Sequence, residues 1–290
     1  MEGQWQDISP FVRIAKIVKS MNLAGEWNDF DHVYTYMEQG EADFFLNGLK
    51  YEVKEGDVIV MPPFIPHVIH RTSRDPLIQY IFHFDLYFSE ERSGWSPYAK
   101  DKMDKQYEEA RSLSSVVPVV HLDPHERIEL KRRFLLMHKE FSEKRAGYAL
   151  YLKSLAIELI AIFLRKQSHI QAVEGKMTKG WAVLEKAIEY IHEACGNPAM
   201  DNEMISRRVQ LSANHLSHLF KEQLGITLHK YVTHVRIEQA KKLMIEGTDT
   251  LTIIADKCGF SGIHAFSRAF KDNAGLTASE YIAVHSKSKR

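Results

Sequence analysis

The chain of 290 residues has little cysteine, little glycine and proline, and no net charge. Its two cysteines, Cys195 and Cys258, are too few for a disulfide framework, which excludes a small disulfide-stapled secreted protein. Fifteen glycines and nine prolines exclude a low-complexity or collagen-like chain. No run approaches the roughly 18 apolar residues of a membrane-spanning helix, and the first residues lack the basic-then-apolar pattern of a secretory signal. We therefore expect a cytoplasmic protein.

What is present is typical of a globular protein. Hydrophobic residues make up 44% and charged residues 26%, and the length suits two domains of roughly 100–200 residues each. Residues 180–290 carry 14 basic and 12 acidic side chains. That excess has the right sign for a nucleic-acid-binding domain, but it is too small to assign a function by itself.

The N-terminal part has the pattern of a small all-β domain. Apolar or β-branched runs recur at residues 33–37, 42–46, 51–53, 58–61, 67–70 and 78–86. Asn47-Gly48 is a strong hairpin turn, and Gly56-Asp57 and Pro62-Pro63 mark further breaks. Short strands at this spacing indicate an antiparallel sandwich or barrel. We predict a cupin-like β-barrel over residues 1–120, which gives an α+β, two-domain fold class overall.

A helical hairpin is predicted next, over residues 121–166. Asp123, Pro124 and Glu126 form the start signal of a helix that should continue to about residue 144. Its predicted apolar face holds Ile128, Phe134, Leu135 and Phe141, and a second helix over about 148–166 should bury Tyr151, Leu152, Leu155, Leu159, Ile162 and Phe163. Residues 167–179 lack apolar periodicity and are predicted to be the interdomain linker.

The segment 180–290 is all helical in pattern and contains an internal repeat. Ser217, Phe220, Lys221, Gly225 and Thr227 recur as the same residue types fifty positions later. Each copy predicts a short helix, a tight turn and a second helix, at residues 202–209 and 212–224, then at 250–258 and 261–274. This is the layout of a helix-turn-helix. A continuous helix over 228–246, about 28 Å long, separates the copies.

The second helix of a helix-turn-helix presents its N-terminal half to base edges in the major groove. The exposed positions there should therefore carry hydrogen-bonding side chains or small apolar contacts. We predict that the DNA-binding residues are Ala213, Asn214, Ser217 and His218 in the first copy and Ile263, His264, Ser267 and Arg268 in the second. Ser261 is predicted to be the N-cap of the second recognition helix.

Several motifs in this segment carry a family resemblance. They are 211–212 (LS), 216–221 (LSHLFK), 225–227 (GIT), Tyr231, 236–237 (RI), Ala240, Leu243, 254–255 (IA), 259–261 (GFS), 266–271 (FSRAFK), 275–277 (GLT) and Tyr281. With them, residues 184–285 resemble the C-terminal DNA-binding domain of AraC/XylS-type transcription regulators. The chain departs from that pattern at Ser206, Ala278 and Ile282, where the family usually has Ala, Pro and Arg.

The N-terminal part is similar to the same family. Residues 55–63 (EGDVIVMPP), followed by His67, resemble the cupin motif of sensor domains in regulators of this type. The resemblance implies a small-molecule pocket inside the barrel, for which a carbohydrate is the leading candidate. Candidate effector-binding residues on or beside the strands are Arg13, His32, Tyr34, Tyr36, His67 and His83, with Asp85 among the same strand residues.

A metal site is the more specific alternative to an effector pocket as an interpretation of the histidines. His32, His67, His70 and His83 could hold a metal, but a site needs three or more convergent ligands, and the spacing of His67 and His70 puts them on opposite faces of a regular strand. Polar lining of an effector pocket is the simpler interpretation. We therefore expect no metal and no cofactor.

Together these observations predict a ligand-responsive transcription regulator and no enzymatic activity. Its expected partners are double-stranded DNA, a small-molecule effector, a second copy of the chain bound through the helical hairpin, and RNA polymerase. Two alternatives stay open at this point. One is a metal-dependent cupin isomerase or oxygenase with a helical appendage, and the other is a barrel that has lost its ligand and serves only assembly.

Overall fold

The computed structural model describes residues 7–20, 23–24, 29–93, 116–167 and 176–286. The chain divides into two units, one made of Met1–Ser20 and Ala24–Lys176 and the other of Met21–Leu23 and Met177–Arg290. The division at residue 176 falls inside the predicted linker, most of which lies outside the described residues.

The N-terminal unit contains a five-stranded antiparallel sheet, which we call sheet A. Its strands, in spatial order, are β1 (Phe11–Ser20), β8 (Leu77–Asp85), β3 (His32–Gln39), β6 (Asp57–Met61) and β9 (Val119–His121). The β1–β8 register shifts between Val12 and Ile14, so Arg13 occupies a β-bulge. This bulge turns the Arg13 side chain toward Asp85, as described below.

Sheet B is built around β4 (Glu41–Leu46), β5 (Leu49–Lys54) and β7 (His67–Arg71), with two-residue strands β2 (Leu23–Ala24) and β10 (Lys176–Met177) at its edges. Asn47 and Gly48 both have positive φ angles, of 45° and 81°, and join β4 to β5. A type I′ turn requires that conformation, so the hairpin predicted from this dipeptide is confirmed.

The two sheets pack face to face around an apolar core that includes Val33 and Ile59 of sheet A and Phe44 and Ile69 of sheet B. The predicted strands are confirmed, each within two residues of its predicted limits, and β1 adds a long strand that the apolar runs did not define. The described strands form two separate sheets, and none of their pairings closes these sheets into a barrel. The architecture shown is therefore a β-sheet domain with two helices.

Two long antiparallel helices cover the outer face of sheet A. After a short helix α1 (Glu90–Ser93), they are α2 (Pro124–Glu143) and α3 (Tyr148–Gln167). The Asp123 side chain accepts hydrogen bonds from the backbone amides of His125 and Glu126, while the Glu126 carboxylate accepts from the Asp123 amide. The predicted helix start is thus confirmed as a capping box.

The predicted apolar face of this hairpin is wrong in three positions. Ile128 is 66% exposed, Leu135 is 48% exposed and Tyr151 is 41% exposed, whereas Leu130 and Met137 are buried. Residues two apart lie about 200° apart around a helix, so Ile128 and Leu130 cannot share a face. Because α2 carries two apolar stripes, apolarity alone did not distinguish the stripe that faces the sheet.

The C-terminal unit is all-helical. Its helices are α4 (Trp181–Ala194), α5 (Asn202–Arg208), α6 (Ala213–Leu224), α7 (Leu228–Glu246), α8 (Leu251–Lys257), α9 (Ile263–Ala274) and α10 (Ala278–Ser286). Helices α5–α6 and α8–α9 are the two predicted helix-turn-helix copies, and α7 is the predicted connecting helix. The all-helical fold and both repeats are confirmed.

Small residues and helix caps explain how each copy folds. Ser206 and Ala255 are buried at the helix crossings, and the extra hydroxyl of Ser206 donates to the Glu203 carbonyl. Ser212, which the sequence analysis placed inside the helix, is the N-cap of α6, and its side chain accepts a hydrogen bond from the His215 amide. The prediction that Ser261 is the N-cap of α9 is wrong, because Gly262 occupies the N-cap position and no side chain caps this helix.

Candidate DNA interface and candidate sensor site

The first recognition helix, α6, has one buried and one accessible face. Leu216 and Phe220 are fully buried. Asn214 and His218 are exposed, while Ala213 and Ser217 are partly buried near them in the same helix. The Nδ1 atom of His218 lies 3.5 Å from the Glu222 carboxylate. The four predicted contact residues thus all keep accessible surface at or near the start of the helix.

The second recognition helix, α9, repeats the arrangement. Phe266 and Phe270 are fully buried. His264, Ser267 and Arg268 are exposed, and Ile263 is partly buried against the core of this half. Donor and acceptor groups on the accessible side, near the start of the helix, are what major-groove reading requires.

Arg236 in the middle of α7 connects the segments around the two copies, a role that the sequence analysis did not identify. Its Nε donates to the Cys195 carbonyl at 3.1 Å and its Nη2 to the Asn197 carbonyl at 3.0 Å, both after α4. The guanidinium also lies 6.0 Å from the ring centroid of Phe260, in the turn of the second copy. Burial lowers the pKa of Arg236, but a guanidinium stays charged at neutral pH.

Residue 259, which lies close to Arg236 in space, has to be a glycine. Gly259 has a φ of 74°, and a Cβ atom there would lie 2.7 Å from the Cys195 carbonyl oxygen. The neighbouring Cys258 is fully buried, and burial raises the pKa of its thiol to about 12. Cys258 therefore acts as a small apolar core residue, in line with its apolar sequence context.

In the N-terminal unit, buried charged side chains meet at one end of sheet A, and we call them the charged cluster: Arg13, Asp29, Asp31, His67, His83 and Asp85. Arg13 donates from Nη2 to the Asp85 carboxylate, and its Nε lies 3.9 Å from Asp31 Oδ2. The Arg13 guanidinium also lies 4.9 Å from the Phe30 ring centroid. Burial of this ion pair is possible because the two partners compensate each other's charge.

Two histidines extend the charged cluster. His83 Nδ1 donates to Asp31 Oδ1 at 3.0 Å, and His67 Nε2 lies 3.5 Å from Asp29 Oδ2. His67 and His83 are buried, and only 10% of the Asp29 side chain is exposed. The structure therefore brings together three of the six predicted effector-binding residues, Arg13, His67 and His83.

The other three candidates, His32, Tyr34 and Tyr36, lie on the opposite face of sheet A, toward the hairpin. The ring centroid of Tyr34 is 4.8 Å from that of Phe82 and 6.4 Å from that of Phe163 in α3. Burial raises the pKa of both tyrosines, so their hydroxyls stay protonated. Neither hydroxyl has a hydrogen-bond partner among the described residues.

Asp29 and Asp31 were missed by the sequence analysis. Both lie in the short segment before β3, where acidic residues look like ordinary turn residues. The sequence held one usable signal, because the two carboxylates flank Phe30 just before the apolar run at residues 33–37. His70, in contrast, pairs with Asp43 across the β4–β7 ladder, and burial is the main cause that lowers its pKa.

Two family models match the chain, one in each half. Residues 205–283 match the sequence model of a helix-turn-helix domain, and residues 27–160 match that of the AraC-like ligand binding domain. The chain belongs to the AraC family of transcription regulators. AraC-family proteins are not enzymes, so the alternative of a metal-dependent cupin enzyme is wrong.

Individual relatives of this AraC-family chain are distant. It is 26% identical over 252 residues to the arabinose operon regulatory protein of Salmonella typhimurium, covering 84% of the chain and 81% of the relative. It is 23% identical over 262 residues to the HTH-type transcriptional regulator YisR of Bacillus subtilis, covering 87% and 85%. The crystal structure of ToxT from Vibrio cholerae aligns over 97% of the chain and 98% of ToxT, with 14% identity and a TM-score of 0.44.

Among the described residues, no helix combines the length and apolarity needed to span a membrane.

Proposed function

We propose that this AraC-type regulator recognises a specific DNA sequence through α6 and α9 together, acting as a cytoplasmic, effector-controlled transcription factor. The base-reading residues are Ala213, Asn214, Ser217, His218, Ile263, His264, Ser267 and Arg268. The single observation that carries this proposal is the repeated face of α6 and α9, on which polar side chains are accessible while Leu216, Phe220, Phe266 and Phe270 are buried.

The connecting helix supports the use of both recognition helices on one DNA molecule. Helix α7 contains 19 residues, which corresponds to about 28 Å of helix. Successive major-groove segments on one side of B-DNA are about 34 Å apart. One chain is therefore of the right dimensions to read two adjacent segments.

The test combines site selection from random duplexes with one substitution. Arg268→Ala is expected to weaken binding to the selected site by about 1–3 kcal/mol and to relax preference at one base pair. Lys271→Ala, on the same helix but one turn further from its N-terminus, is the matched control and should affect all sequences equally. If Arg268→Ala also weakens binding equally on every sequence, Arg268 contacts phosphate and its assignment to base reading fails.

For the sensor, we propose that Arg13, His67 and His83 contact a small polar effector. The support is their convergence in the charged cluster, which offers guanidinium and imidazole donors and carboxylate acceptors at one end of the sheet. A carbohydrate has the matching hydroxyls, and the arabinose operon regulatory proteins among the relatives favour this class. His32, Tyr34 and Tyr36 are left out of this proposed site because they face the hairpin.

The hairpin is the proposed homodimer interface. It leaves large apolar side chains accessible on both helices, among them Ile128, Leu135, Leu150, Tyr151 and Ile157. Apolar surface of this extent on a helical pair is typical of a protein interface. RNA polymerase is a further proposed partner, in keeping with a role in transcription.

A further inference from the structure

The charged cluster contains a group of side chains with the geometry of a metal site. One ligand atom each from Asp29, Asp31 and His83 lie within 4.8 Å of one another. Oxygen and nitrogen ligands bind a zinc ion at about 2.0–2.2 Å, which places any two tetrahedral ligands about 3.3 Å apart. Shortening these separations by at most about 1.5 Å would therefore bring all three atoms to an ion.

Asp31 supplies a second, independent observation. The residue is 1% exposed, and its Oδ1 lies 3.0 Å from His83 Nδ1, whose hydrogen-bonding proton a bound metal ion would displace. Its Oδ2 accepts no hydrogen bond among the described residues, and Arg13 Nε lies 3.9 Å from it. A buried carboxylate oxygen without a donor is costly, so this atom is suited to bind a cation.

His67 borders this group through Asp29. Its Nδ1 lies 3.0 Å from the Ile65 carbonyl, and because a carbonyl only accepts, Nδ1 carries the proton. In the neutral ring Nε2 then has a lone pair, which faces Asp29 Oδ2 at 3.5 Å. Two electron-rich atoms are stable in this arrangement when a cation or a proton lies between them.

Charge favours an ion of charge +2. Within the charged cluster, Arg13 is paired with Asp85, and Asp29 and Asp31 add two more carboxylates. Its three carboxylates thus outnumber its one guanidinium by two. Carboxylate and imidazole ligands without sulfur suit the divalent transition metals from manganese to zinc, and the imidazoles disfavour magnesium and calcium.

We propose that Asp29, Asp31 and His83 bind one divalent transition-metal ion in the sensor domain, with His67 beside Asp29 as a neighbouring imidazole. The four-histidine set considered from sequence does not converge, since His32 faces the hairpin and His70 pairs across sheet B. The converging set contains two aspartates that sequence spacing did not single out. The ion would have no catalytic role. Its open coordination positions would hold oxygen atoms of the effector. Only this last step rests on the proposed effector site, because metal binding itself needs no effector.

The experiment uses the full chain, stripped with a chelator and then dialysed against Zn²⁺ or Co²⁺. We expect one metal ion per chain by elemental analysis and, for Co²⁺, visible absorption bands of a site with nitrogen and oxygen ligands. Asp31→Asn and His83→Gln should each weaken Zn²⁺ binding at least about tenfold in calorimetric titrations. Asp43→Asn and His70→Gln change the same residue types at the β4–β7 ladder and should leave binding unchanged.

The proposal is overturned if the full chain binds no stoichiometric Zn²⁺ or Co²⁺, or if binding survives both cluster substitutions. Melting curves of the metal-free variants show whether each is folded. Should Asp31→Asn not fold, Asp29→Asn at the more accessible edge is the replacement variant, with the same expected loss. Binding of the selected DNA site is measured in parallel, so failure of the metal proposal and failure of the proposed regulator function give different results.

Discussion

The close approach of Gly259 to the Cys195 carbonyl leads to a sharp stability prediction. Gly259→Ala would place a methyl group 2.7 Å from that oxygen and 3.1 Å from Arg236 Nη2, in a residue whose φ is 74°. Gly275→Ala is the matched control, because Gly275 has a φ of 75° and its new methyl group would have no described residue within 4 Å apart from its chain neighbours and its own helix. The two substitutions therefore share the backbone strain and differ in the steric contact.

The expected magnitudes follow from these two contributions. Alanine in the left-handed region costs about 1–2 kcal/mol, of which the reduced entropy of the unfolded chain offsets about 0.4–1 kcal/mol. We therefore expect Gly275→Ala to lower the free energy of unfolding by about 1 kcal/mol. The backbone carbonyl at Gly259 cannot move aside cheaply, and overpacking adds about 1–3 kcal/mol. The expected loss for Gly259→Ala is thus about 2–4 kcal/mol.

The assay is urea denaturation of a fragment covering residues 176–290, with unfolding monitored by tryptophan fluorescence. Trp181 is the only tryptophan in that fragment, so the signal reports on this half of the chain alone. Equal losses for the two variants would show that the Cys195 carbonyl moves away without cost. That result would refute the inference that Arg236 and Gly259 fix the segments around the two helix-turn-helix copies.

Three further predictions concern the separate functions of the two units. The 176–290 fragment should bind the selected DNA site alone, with affinity falling steeply as salt rises because Lys and Arg displace counterions from phosphates; a folded fragment without salt-sensitive binding would contradict this. A cognate sugar should stabilise the full chain by about 2.7 kcal/mol at a hundredfold excess over its dissociation constant, seen as a rise in melting temperature. His67→Ala should abolish that shift and His70→Ala should not, and a sugar panel without any shift would remove the carbohydrate proposal. Leu150→Glu, at a side chain 75% exposed, should shift the sedimentation of the full chain from dimer to monomer, and an unchanged dimer would place the interface elsewhere.

The sequence predicted the C-terminal unit better than the N-terminal site, and the reason is physical. Each helix-turn-helix repeats a pattern in which Phe220 and Phe270 are buried while Asn214 and His264 are accessible, so periodicity alone separates the two faces. Local signals also sufficed for the Asn47-Gly48 turn and the capping box of α2, because both depend on neighbouring residues only.

The faces of sheet A could not be predicted in the same way. All of the first six residues of β3 are buried, since this sheet packs against sheet B on one side and against the hairpin on the other. A strand buried on both faces loses the alternation of polar and apolar residues that would separate Tyr34 from Thr35. The candidate pocket residues therefore came from both faces, and Asp29 and Asp31 became visible only through their tertiary contacts.

This two-sided burial has a consequence for regulation. Strand β8 directs His83 and Asp85 to the charged cluster and Phe82 and Phe84 to the hairpin side, and the His32 ring beside Asp31 stacks on Phe84 at 5.2 Å. The proposed effector in the cluster and the proposed partner chain on the hairpin would therefore act on the same pair of strands. Coupling between binding sites is reciprocal, so in a dimer with one effector per chain an effector that tightens dimerisation tenfold must bind each chain of the dimer about threefold more tightly than it binds the monomer. Effector affinity measured above and below the dimer dissociation constant therefore tests whether sheet A transmits the signal, without knowledge of the target DNA.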